Sequence, residues 1–315
     1  MTAAVLFDLL LCVLIAGVAL CAVTVRDLFA AIVFFIVYGV FVAIAWVRLD
    51  AIDVALTEAA IGAGLTGILL VGAGARFGAG PAMSTWAANT LLRRVEAVSR
   101  LALCLALGVA LIAVVLGLPR LHGGLGATVD AHLAESGVSN PVTAVLLNFR
   151  SYDTLLEAMV LVVALVGVWS LTDDRFWGGI PGLRQHARPD GVLAYFGRLL
   201  PVVGLLVGVH LLWAGAHAPG GAFQSATVLA AVWLLVAMAG LTGVPAVSGW
   251  RVRLLLVAGP ALFLLFGLAS ALVSVFLHYP PNLAYPIILV IELSLTVSIA
   301  ITLSLLVLGI PRRQA

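Results

Sequence analysis

Apolar runs of about 20 residues recur along the whole chain, and a helix of that length crosses the roughly 30 Å hydrocarbon core of a bilayer. Hydrophobic residues occupy 63% of the 315 positions and charged residues only 10%, which would leave a soluble domain of this size covered in apolar surface. In lipid every backbone polar group must be bonded within the chain, and a barrel would show short alternating segments instead of long runs. The sequence therefore predicts an all-α integral membrane protein.

About nine transmembrane helices fit the pattern of apolar runs. The first run has neither a basic leader nor a small-residue cleavage site, so we interpret it as a retained helix rather than a signal peptide. Cys12, Cys21 and Cys104 fall within the runs without metal-ligand spacing, which predicts small buried residues and no metal site. The predicted spans are 4–23, 28–47, 53–73, 100–118, 154–172, 199–216, 223–242, 254–277 and 284–309.

The arginines predict the orientation of the chain, because basic residues are retained on the cytoplasmic side of a membrane. The chain has 16 arginines and no lysine. With nine spans, 13 of the arginines follow odd-numbered helices, and only Arg48, Arg120 and Arg150 lie on the other side. We therefore expect the N-terminus outside and the C-terminus inside the cell (inner) membrane. The net charge of +2 belongs to these inside loops and does not indicate nucleic-acid binding.

Two polar connectors divide the predicted spans into modules of three, two and four helices. A Gly/Pro break after residue 73 leads into a short amphipathic stretch, where Trp86 and Leu91 oppose the Arg93–Arg94 pair, and this stretch is expected to lie along the cytoplasmic interface. The sequence shows no convincing internal repeat. The predicted divisions are 1–75 for a three-helix module, 76–172 for the interfacial segment with a two-helix module, 173–196 for a cytoplasmic linker and 197–315 for a four-helix module.

A carboxylate lies inside the third apolar run, where an ionised side chain costs at least about 2.5 kcal/mol and marks a functional site by default. This residue is Glu58, and Asp53 and Thr57 share a helix face from which Glu58 is turned by about 140°. The small residues at 59–67 allow a neighbouring helix to approach closely, or allow a bulge in the hydrogen-bond ladder. Glu58 and Asp53 are candidate ion-path residues. Alternatively, Glu58 extends to the outer surface and Asp53 simply caps the helix.

A second group of polar residues has the spacing of one helical stripe, with members three or four positions apart. The stripe consists of Arg150, Asp153, Thr154 and Glu157. Asp153 and Glu157 would repel each other alone, so an ion pair between Arg150 and Asp153 is the simplest interpretation of the first two residues. Glu157 lies deeper in the apolar run and is the better candidate for a proton-carrying group.

The last four predicted helices add two histidines and one isolated acid. His210 and His217 are seven residues apart, which predicts one shared face, and histidine titrates near neutral pH as a proton relay requires. Hydrogen-bonded packing is an equal alternative for His210. The Pro219-Gly220-Gly221 sequence indicates a tight outer hairpin between helices. Glu292 lies about 12 Å into its helix without a charged neighbour there, so a partner must come from another helix or another chain.

The candidate residues are concentrated in one half of the membrane. Glu58, Glu157 and Glu292 all come early in helices that are predicted to run from outside to inside. His210 and His217 belong to the same outer half, whereas the inner half is nearly pure hydrocarbon. The pattern predicts half of an ion path, with another subunit supplying the inner half, and it disfavours a stand-alone transporter.

Four segments carry a resemblance to a known family. "AIDVALTEAAIGAG" resembles the A-P-D-V-A-L-T-E-A-x-[VI]-G-x-G segment of small complex I-like subunits, which occur in Mrp-type multisubunit cation/proton antiporters and in energy-converting membrane-bound hydrogenases. "NPVTAVLLNFRSYDTLLEAMVL" resembles the segment that follows it in those systems. "HLLWAGAHAPGGAFQSA" and "IELSLTV" resemble the antiporter B-type subunit. The chain thus resembles a fusion of the C-terminal part of the large antiporter subunit with the B-type subunit.

The resemblance implies roles for particular residues. The positions that match Glu58, Asp153, Glu157 and Glu292 belong to the polar region that the family uses for proton or sodium movement. The large antiporter-like subunits of the family depend on buried lysines, and this chain has none, so we expect it to work beside such a subunit. The chain departs from the family pattern, including the loss of helix-loosening glycines, at Ile52, Asn148, Ser151, Ala216 and Ser294.

Three hypotheses for the function follow. The first is a membrane subunit of a multisubunit Na⁺/H⁺ or other monovalent cation/proton antiporter, with lysine-containing and small membrane subunits as partners. The second is an ion-translocating subunit of a complex I-like redox complex such as a membrane-bound hydrogenase. The third is a structural scaffold whose acids are all paired. The sequence shows no catalytic triad, metal-ligand cluster, phosphate loop or flavin motif, so we expect no cofactor and no independent enzymatic activity.

Overall fold

The structure, a computed structural model, describes residues 3–77, 90–118, 124–182, 188 and 191–314. These residues are almost entirely helical, and two of the helices contain a π-helical segment. The α-helices are α1 (Ala3–Thr24), α2 (Leu28–Arg48), α3 (Ile52–Thr57), α4 (Thr66–Phe77), α5 (Thr90–Gly117), α6 (Gly126–His132), α7 (Pro141–Ala144), α8 (Ser151–Trp169), α9 (Val192–Ala214), α10 (Ala222–Met238), α11 (Trp250–Val273) and α12 (Pro281–Leu308). The first π segment is Glu58–Leu65 and the second π segment is Val145–Phe149.

Eight helices in the described part of the chain are long and apolar enough to cross a membrane. A ninth apolar helix, α10, has 17 residues and coincides with the predicted seventh span. The all-α, multi-pass membrane architecture is therefore confirmed. The boundaries differ most at two helices. The helix α5 begins at Thr90 rather than at residue 100. The helix α9 begins at Val192 rather than at residue 199, so the polar connector before it is shorter than the predicted 173–196. The predicted orientation stays a prediction.

The connector and the C-terminus meet in a small antiparallel ladder. The strand β1 (Ile180–Pro181) pairs with β2 (Pro311–Arg313), and the sequence analysis did not anticipate either strand. Trp86 of the predicted amphipathic stretch lies outside the described residues, which resume at Thr90 in a helix continuous with the fourth span.

The helix α12 forms the centre of the molecule and packs against α8, α10 and α11. Ile288, Ile291 and Leu295 on α12 are fully buried. A Cβ atom added to Gly259 of α11 would lie 2.8 Å from the Cβ atom of Ser298, so the absence of a side chain lets these two helices approach closely. Because lipid is as apolar as the packed side chains, such close van der Waals packing is what favours association of these helices.

The helices at the periphery are mostly exposed. The span within α5 has no buried residue in its apolar window, which leaves its surface to lipid or to another subunit. Cys12, Cys21 and Cys104 are all exposed. The prediction that the cysteines are buried is therefore wrong, because α1 and α5 pack too few neighbours within this chain to cover them.

Candidate functional site

A cavity of about 450 Å³ lies where α3, α8, α10 and α12 come together. Its polar lining comes from all three predicted modules, and leucine, isoleucine, valine and phenylalanine side chains complete the wall. The polar groups are contributed by Thr57, Thr143, Thr154, Glu157, Gly220, Gly221, Gln224 and Glu292. Two predicted site residues, Glu157 and Glu292, are thus brought to one space although 135 positions separate them in the sequence.

The turn at 215–221, between α9 and α10, forms one edge of this cavity, and side chains from earlier in the chain hold it. Asp53 Oδ1 accepts a hydrogen bond of 2.8 Å from the backbone N–H of Gly220. Asn140 Nδ2 donates to the carbonyl oxygens of Gly215 and Ala218 at 3.1 and 3.0 Å. These bonds satisfy buried backbone groups that no helix or strand pairs. Asp53 therefore links the first module to the turn, and the interpretation of Asp53 as a helix cap is wrong.

Glycines allow this turn to be compact. A Cβ atom on Gly215 would lie 2.6 Å from the backbone of Gly221, and one on Gly220 would collide with the carbonyl oxygen of Leu211. Gly221 has a φ of 113°, which L side chains rarely adopt. The sequence Pro219-Gly220-Gly221 correctly indicated a tight turn. Its attachment to Asp53 and Asn140 could not be read from local sequence.

Glu292 is the most buried acid of the site, with 2% of its surface exposed. It lies in the middle of α12, and its Oε2 atom has no hydrogen-bond partner among the described residues. The backbone amide of Ala222, at the start of α10, faces the carboxyl group. A helix N-terminus stabilises negative charge, so α10 offsets part of the cost of this buried carboxylate.

Glu157 occupies the wall of the cavity that α8 provides, and it is exposed in the isolated chain. The four residues of the predicted stripe do not all face the cavity. Arg150 precedes α8 with φ −132° and ψ 35°, and its Nη2 atom lies 2.5 Å from Asp153 Oδ2 in an exposed ion pair. Thr154 turns inward and donates to the carbonyl oxygen of Leu146 at 2.6 Å. The Arg150–Asp153 pair is confirmed, and this pair does not line the cavity.

Glu58 begins the first π segment and does not line the cavity. Its carboxyl group folds over Gly62, where an added Cβ atom would collide with Glu58 Oε1. The local bulge predicted from the small residues at 59–67 is confirmed by this π segment, a feature that is frequent at functional sites. Glu58 is half-buried.

The two histidines do not share a helix face as predicted. His210 lies on an exposed face of α9, whereas α9 ends at Ala214 and His217 belongs to the following turn. His217 Nδ1 lies 3.0 Å from Ser139 Oγ, and the imidazole ring stacks on Tyr285 with 5.7 Å between ring centroids. Neither histidine lines the cavity, so their proposed role as a relay stays a prediction.

The loop before α12 contains a strained residue. Leu277 has a φ of 61°, a conformation that costs a bulky residue about 1–2 kcal/mol. Its backbone N–H donates a hydrogen bond of 2.8 Å to Ser270 Oγ, and its side chain is buried, so both contacts hold it in this geometry. Burial also raises the pKa of the neighbouring Tyr279, which therefore stays a neutral phenol. The loop fixes the start of the helix that carries Glu292.

Sequence reasoning missed Gln224, Asn140 and Thr143. Gln224 Nε2 donates to the backbone oxygen of Asp53 and to Thr57 Oγ1, each at 3.3 Å. Thr143 Oγ1 donates to the carbonyl oxygen of Gly215 at 2.6 Å. These side chains are uncharged, so they do not stand out as a charged residue within an apolar run does. Gln224 lies only three positions after the glycine turn. In the described residues no group of three or more His, Cys, Asp or Glu side chains could hold a metal ion.

Two family models match separate parts of the chain. Residues 13–78 match MbhD, a family described as one of the subunits of MBH. Residues 192–310 match the domain related to the MnhB subunit of Na⁺/H⁺ antiporter. The uncharacterized protein MJ1307 of Methanocaldococcus jannaschii is 28% identical over 127 residues, which cover 35% of this chain and 47% of that protein. The match thus spans about half the length of this relative.

Two solved membrane complexes contain chains of similar fold. A chain in the structure of the Mrp complex from Dietzia sp. DQ12-45-1b aligns with a TM-score of 0.72 and 24% identity, over 97% of this chain and 35% of that one. A chain of the membrane-bound sulfane sulfur reductase, an archaeal respiratory membrane complex, aligns with a TM-score of 0.54 and 22% identity, over 69% and 99% respectively. The two family matches confirm the predicted fusion, because the chain contains an MbhD-like part followed by an MnhB-like part.

Proposed function

We propose that this chain is a membrane subunit of a multisubunit monovalent cation/proton antiporter and lines an ion path that opens to the outer side. The cavity carries the proposal, because Glu157 and Glu292 face one space at the junction of the modules. The MnhB-like part supplies Glu292 to this space and the MbhD-like part supplies Thr57, while Asp53 holds the turn at its edge. On this proposal the chain is a transporter subunit and has no enzymatic activity of its own.

The cavity places a few polar groups within an otherwise apolar wall, as one binding position along an ion path would. A volume of about 450 Å³ has room for on the order of ten water molecules. Its carboxylates can accept a proton or a cation, and the hydroxyl groups of Thr57, Thr143 and Thr154 can exchange hydrogen bonds with water. Acids placed inside a bundle in this way are typical of proton and ion relays.

The proposed partners are lysine-containing antiporter-like subunits and small membrane subunits of the same complex. This chain has no lysine, and Glu157 and Glu292 are the only acids among the described residues that line the cavity. The exposure of Glu157 supports a partner on that side, because a carboxylate facing lipid directly would be costly. The unpacked surface of α5 offers further area for such subunits.

A redox-driven complex is the second candidate. The match to the MbhD family favours it, since that family is described as part of MBH rather than of an antiporter. Purification of the tagged chain from its native membrane, followed by mass spectrometry, separates the two candidates. Lysine-containing antiporter-like subunits without redox proteins are expected. Co-purification of iron–sulfur or hydrogenase subunits would instead indicate that the chain takes part in electron-coupled ion pumping.

Transport assays test the role of the cavity and the scaffold hypothesis together. Glu157→Gln and Glu292→Gln should each lower cation/proton exchange in everted vesicles at least about tenfold, because neither amide can carry the proton. Glu135→Gln, an exposed position outside the cavity, is the matched control and should leave exchange unchanged. Normal exchange by both cavity variants would favour the scaffold hypothesis.

A further inference from the structure

Three segments that are far apart in the sequence meet at the end of the bundle where α12 ends. The backbone N–H of Val247, in the loop before α11, donates to the carbonyl oxygen of Gly179 at 2.9 Å. The next residue, Ile180, pairs with Arg313 of β2. A Cβ atom on Gly179 would collide with the carbonyl oxygen of Arg313, so glycine lets the segments lie this close. The junction therefore brings the start of α11 beside the C-terminal strand.

The junction carries four arginines that have no acidic partner among the described residues. Residues 239–253 and 309–315 contain no aspartate or glutamate. None of the ion pairs between described residues includes one of these arginines. Residues 173–182 of the connector add one arginine and two aspartates, so an excess of three positive side-chain charges remains. We call the four residues the arginine surface, and they are Arg251, Arg253, Arg312 and Arg313.

Several buried donors at this end of the molecule lack acceptors. Arg313 Nη2 donates to the carbonyl oxygen of Pro181 at 3.5 Å, but its buried Nε has no partner among the described residues. The same holds for Trp169 Nε1 and Thr172 Oγ1 at the end of α8. Trp169 belongs to the hydrophobic cluster that includes Val247 of the junction. Buried polar groups are normally hydrogen-bonded, and guanidinium and indole groups can only donate, so this end has more donors than acceptors.

Exposed tryptophans place the junction at the level of the lipid headgroups. Trp177 and Trp250 are exposed, and the Arg251 guanidinium lies 5.7 Å from the centre of the Trp250 ring. Tryptophan is enriched at the boundary between the membrane and water, where its ring lies among the headgroups. Leu254 and Val257 follow on α11 and are exposed as well. An arginine cluster at the headgroup level thus continues into an apolar surface that acyl chains can cover.

The start of α11 adds positive potential to the same place. The helix begins at Trp250 without an acidic residue in its first turn and without a side-chain cap from Gly249. The N-terminus of a helix is the positive end of its dipole, so Arg251 and Arg253 are unfavourable there unless an anion compensates them. A phosphate group satisfies both the arginines and the free N–H groups of such a helix start.

We propose that the arginine surface binds the phosphate headgroup of an anionic phospholipid, whose acyl chains lie along α11. The excess positive charge and the unpaired donors select an anion, and the tryptophans together with the exposed apolar residues of α11 select a lipid. The distribution of arginines predicts that this side is cytoplasmic, and the cytoplasmic leaflet carries anionic lipids. The site lies outside the cavity and does not depend on which ion the complex moves.

Native mass spectrometry of the purified complex, titrated with phosphatidylglycerol or with phosphatidylcholine, tests the site by counting bound lipids. Phosphatidylglycerol should bind at least about tenfold more tightly, because it carries a net negative charge. Arg251→Gln combined with Arg312→Gln should abolish this difference and leave phosphatidylcholine binding unchanged. Arg253 and Arg313 are kept, because they also donate to the backbone oxygens of Val247 and Pro181.

Two controls separate charge from structure. Arg251→Lys combined with Arg312→Lys keeps both charges and should retain phosphatidylglycerol affinity within about threefold. Arg26→Gln removes an exposed arginine between α1 and α2, beside Asp27, and should leave lipid binding unaltered. Assembly of each variant is checked by size-exclusion chromatography. If the double glutamine variant does not assemble, Arg251→Gln alone replaces it, with an expected loss of about threefold or more.

Three results would overturn the proposal. The first is equal binding of the two lipids by the unaltered complex, as expected if an acidic segment of another subunit covered the arginine surface. The second is unchanged phosphatidylglycerol affinity in the glutamine variant. The third is displacement of phosphatidylglycerol by inorganic phosphate, which would assign the surface to a soluble phosphate compound instead of a lipid.

Discussion

The carboxylate of Asp53 accepts a hydrogen bond from the backbone amide of Gly220 at 2.8 Å, although 167 positions separate the two residues. The bond joins the MbhD-like part to the turn that opens the MnhB-like cavity. Asp53 is buried, and its carboxylate is the acceptor for the N–H of Gly220. The two fused parts are thus joined here by this bond and by the hydrogen bonds from Gln224 to Asp53 and Thr57.

Asp53→Ala should therefore destabilise the chain by about 1–3 kcal/mol, because the buried N–H of Gly220 would lose its acceptor. Asp53→Asn retains an acceptor oxygen and should recover most of this loss. Thermal unfolding of the purified protein in detergent gives the comparison. Asp50→Asn, in the exposed turn before α3, is the control and should not change stability. An equal effect of Asp53→Ala and Asp50→Asn would contradict the role assigned to this bond.

Gly215→Ala should prevent normal closure of the turn. Its Cβ atom would lie 2.6 Å from the Cα and N atoms of Gly221, and both are backbone atoms that cannot rotate away. We expect a loss of more than about 2 kcal/mol in unfolding free energy, or failure to accumulate in the membrane.

Gly167→Ala is the matched control for this substitution. No atom lies within 4 Å of the added Cβ at Gly167 in α8, and alanine in a helix interior is favoured over glycine by roughly 0.5–1 kcal/mol. The two alanine variants should therefore have opposite effects in the same unfolding measurement. Similar tolerance of both would show that the turn is less compact than the structure indicates.

Glu58 and Glu157 should differ in their effect on exchange. Glu58 folds over Gly62 outside the cavity, whereas Glu157 lines it. Glu58→Gln should consequently lower cation/proton exchange less than Glu157→Gln, by a margin of about tenfold or more. Both variants are measured in the same vesicle preparation, with the amount of assembled complex determined by immunoblotting. A larger effect of Glu58→Gln would place the ion path along the first π segment instead.

Asp8 and Arg48 form a two-point ion pair between α1 and α2, with distances of 2.8 and 3.1 Å. Asp8→Ala should reduce the amount of assembled chain in the membrane, because Arg48 would be left without its partner in a lipid-facing region. Exchanging the two residues, with Asp8→Arg and Arg48→Asp together, should restore it. Quantification of tagged protein after detergent extraction provides the measurement. No recovery in the double variant would contradict a direct pairing of these residues.

Several features of the fold were predictable because they depend on local sequence. The apolar runs located nine helices, since twenty successive apolar residues cross a bilayer whatever they pack against. The small residues at 59–67 indicated the bulge that the first π segment forms. The spacing of Arg150 and Asp153 indicated their ion pair, because neighbours at i and i+3 meet within one turn.

Features that depend on the ends and faces of helices were predicted less well. The helix α9 starts at Val192 because a polar connector can continue into a helix when its first residues pack on the protein. His217 was expected to share a face with His210, but α9 ends between them at Ala214. The cysteines were expected to be buried, whereas burial in a membrane protein requires a neighbouring helix as well as an apolar sequence.

The sequence by itself determined that this protein lies in a membrane, and it determined the number and order of the membrane helices. It also determined that the chain contains an MbhD-like and an MnhB-like part. Each of these properties is set by residues that are close together in the chain. Only the tertiary structure decided that Glu157 and Glu292 share a cavity, that Glu58 stands apart from it, and that Gln224 faces it. The reason is that these relationships depend on contacts between helices far apart in sequence, and hydropathy carries no information about which faces meet.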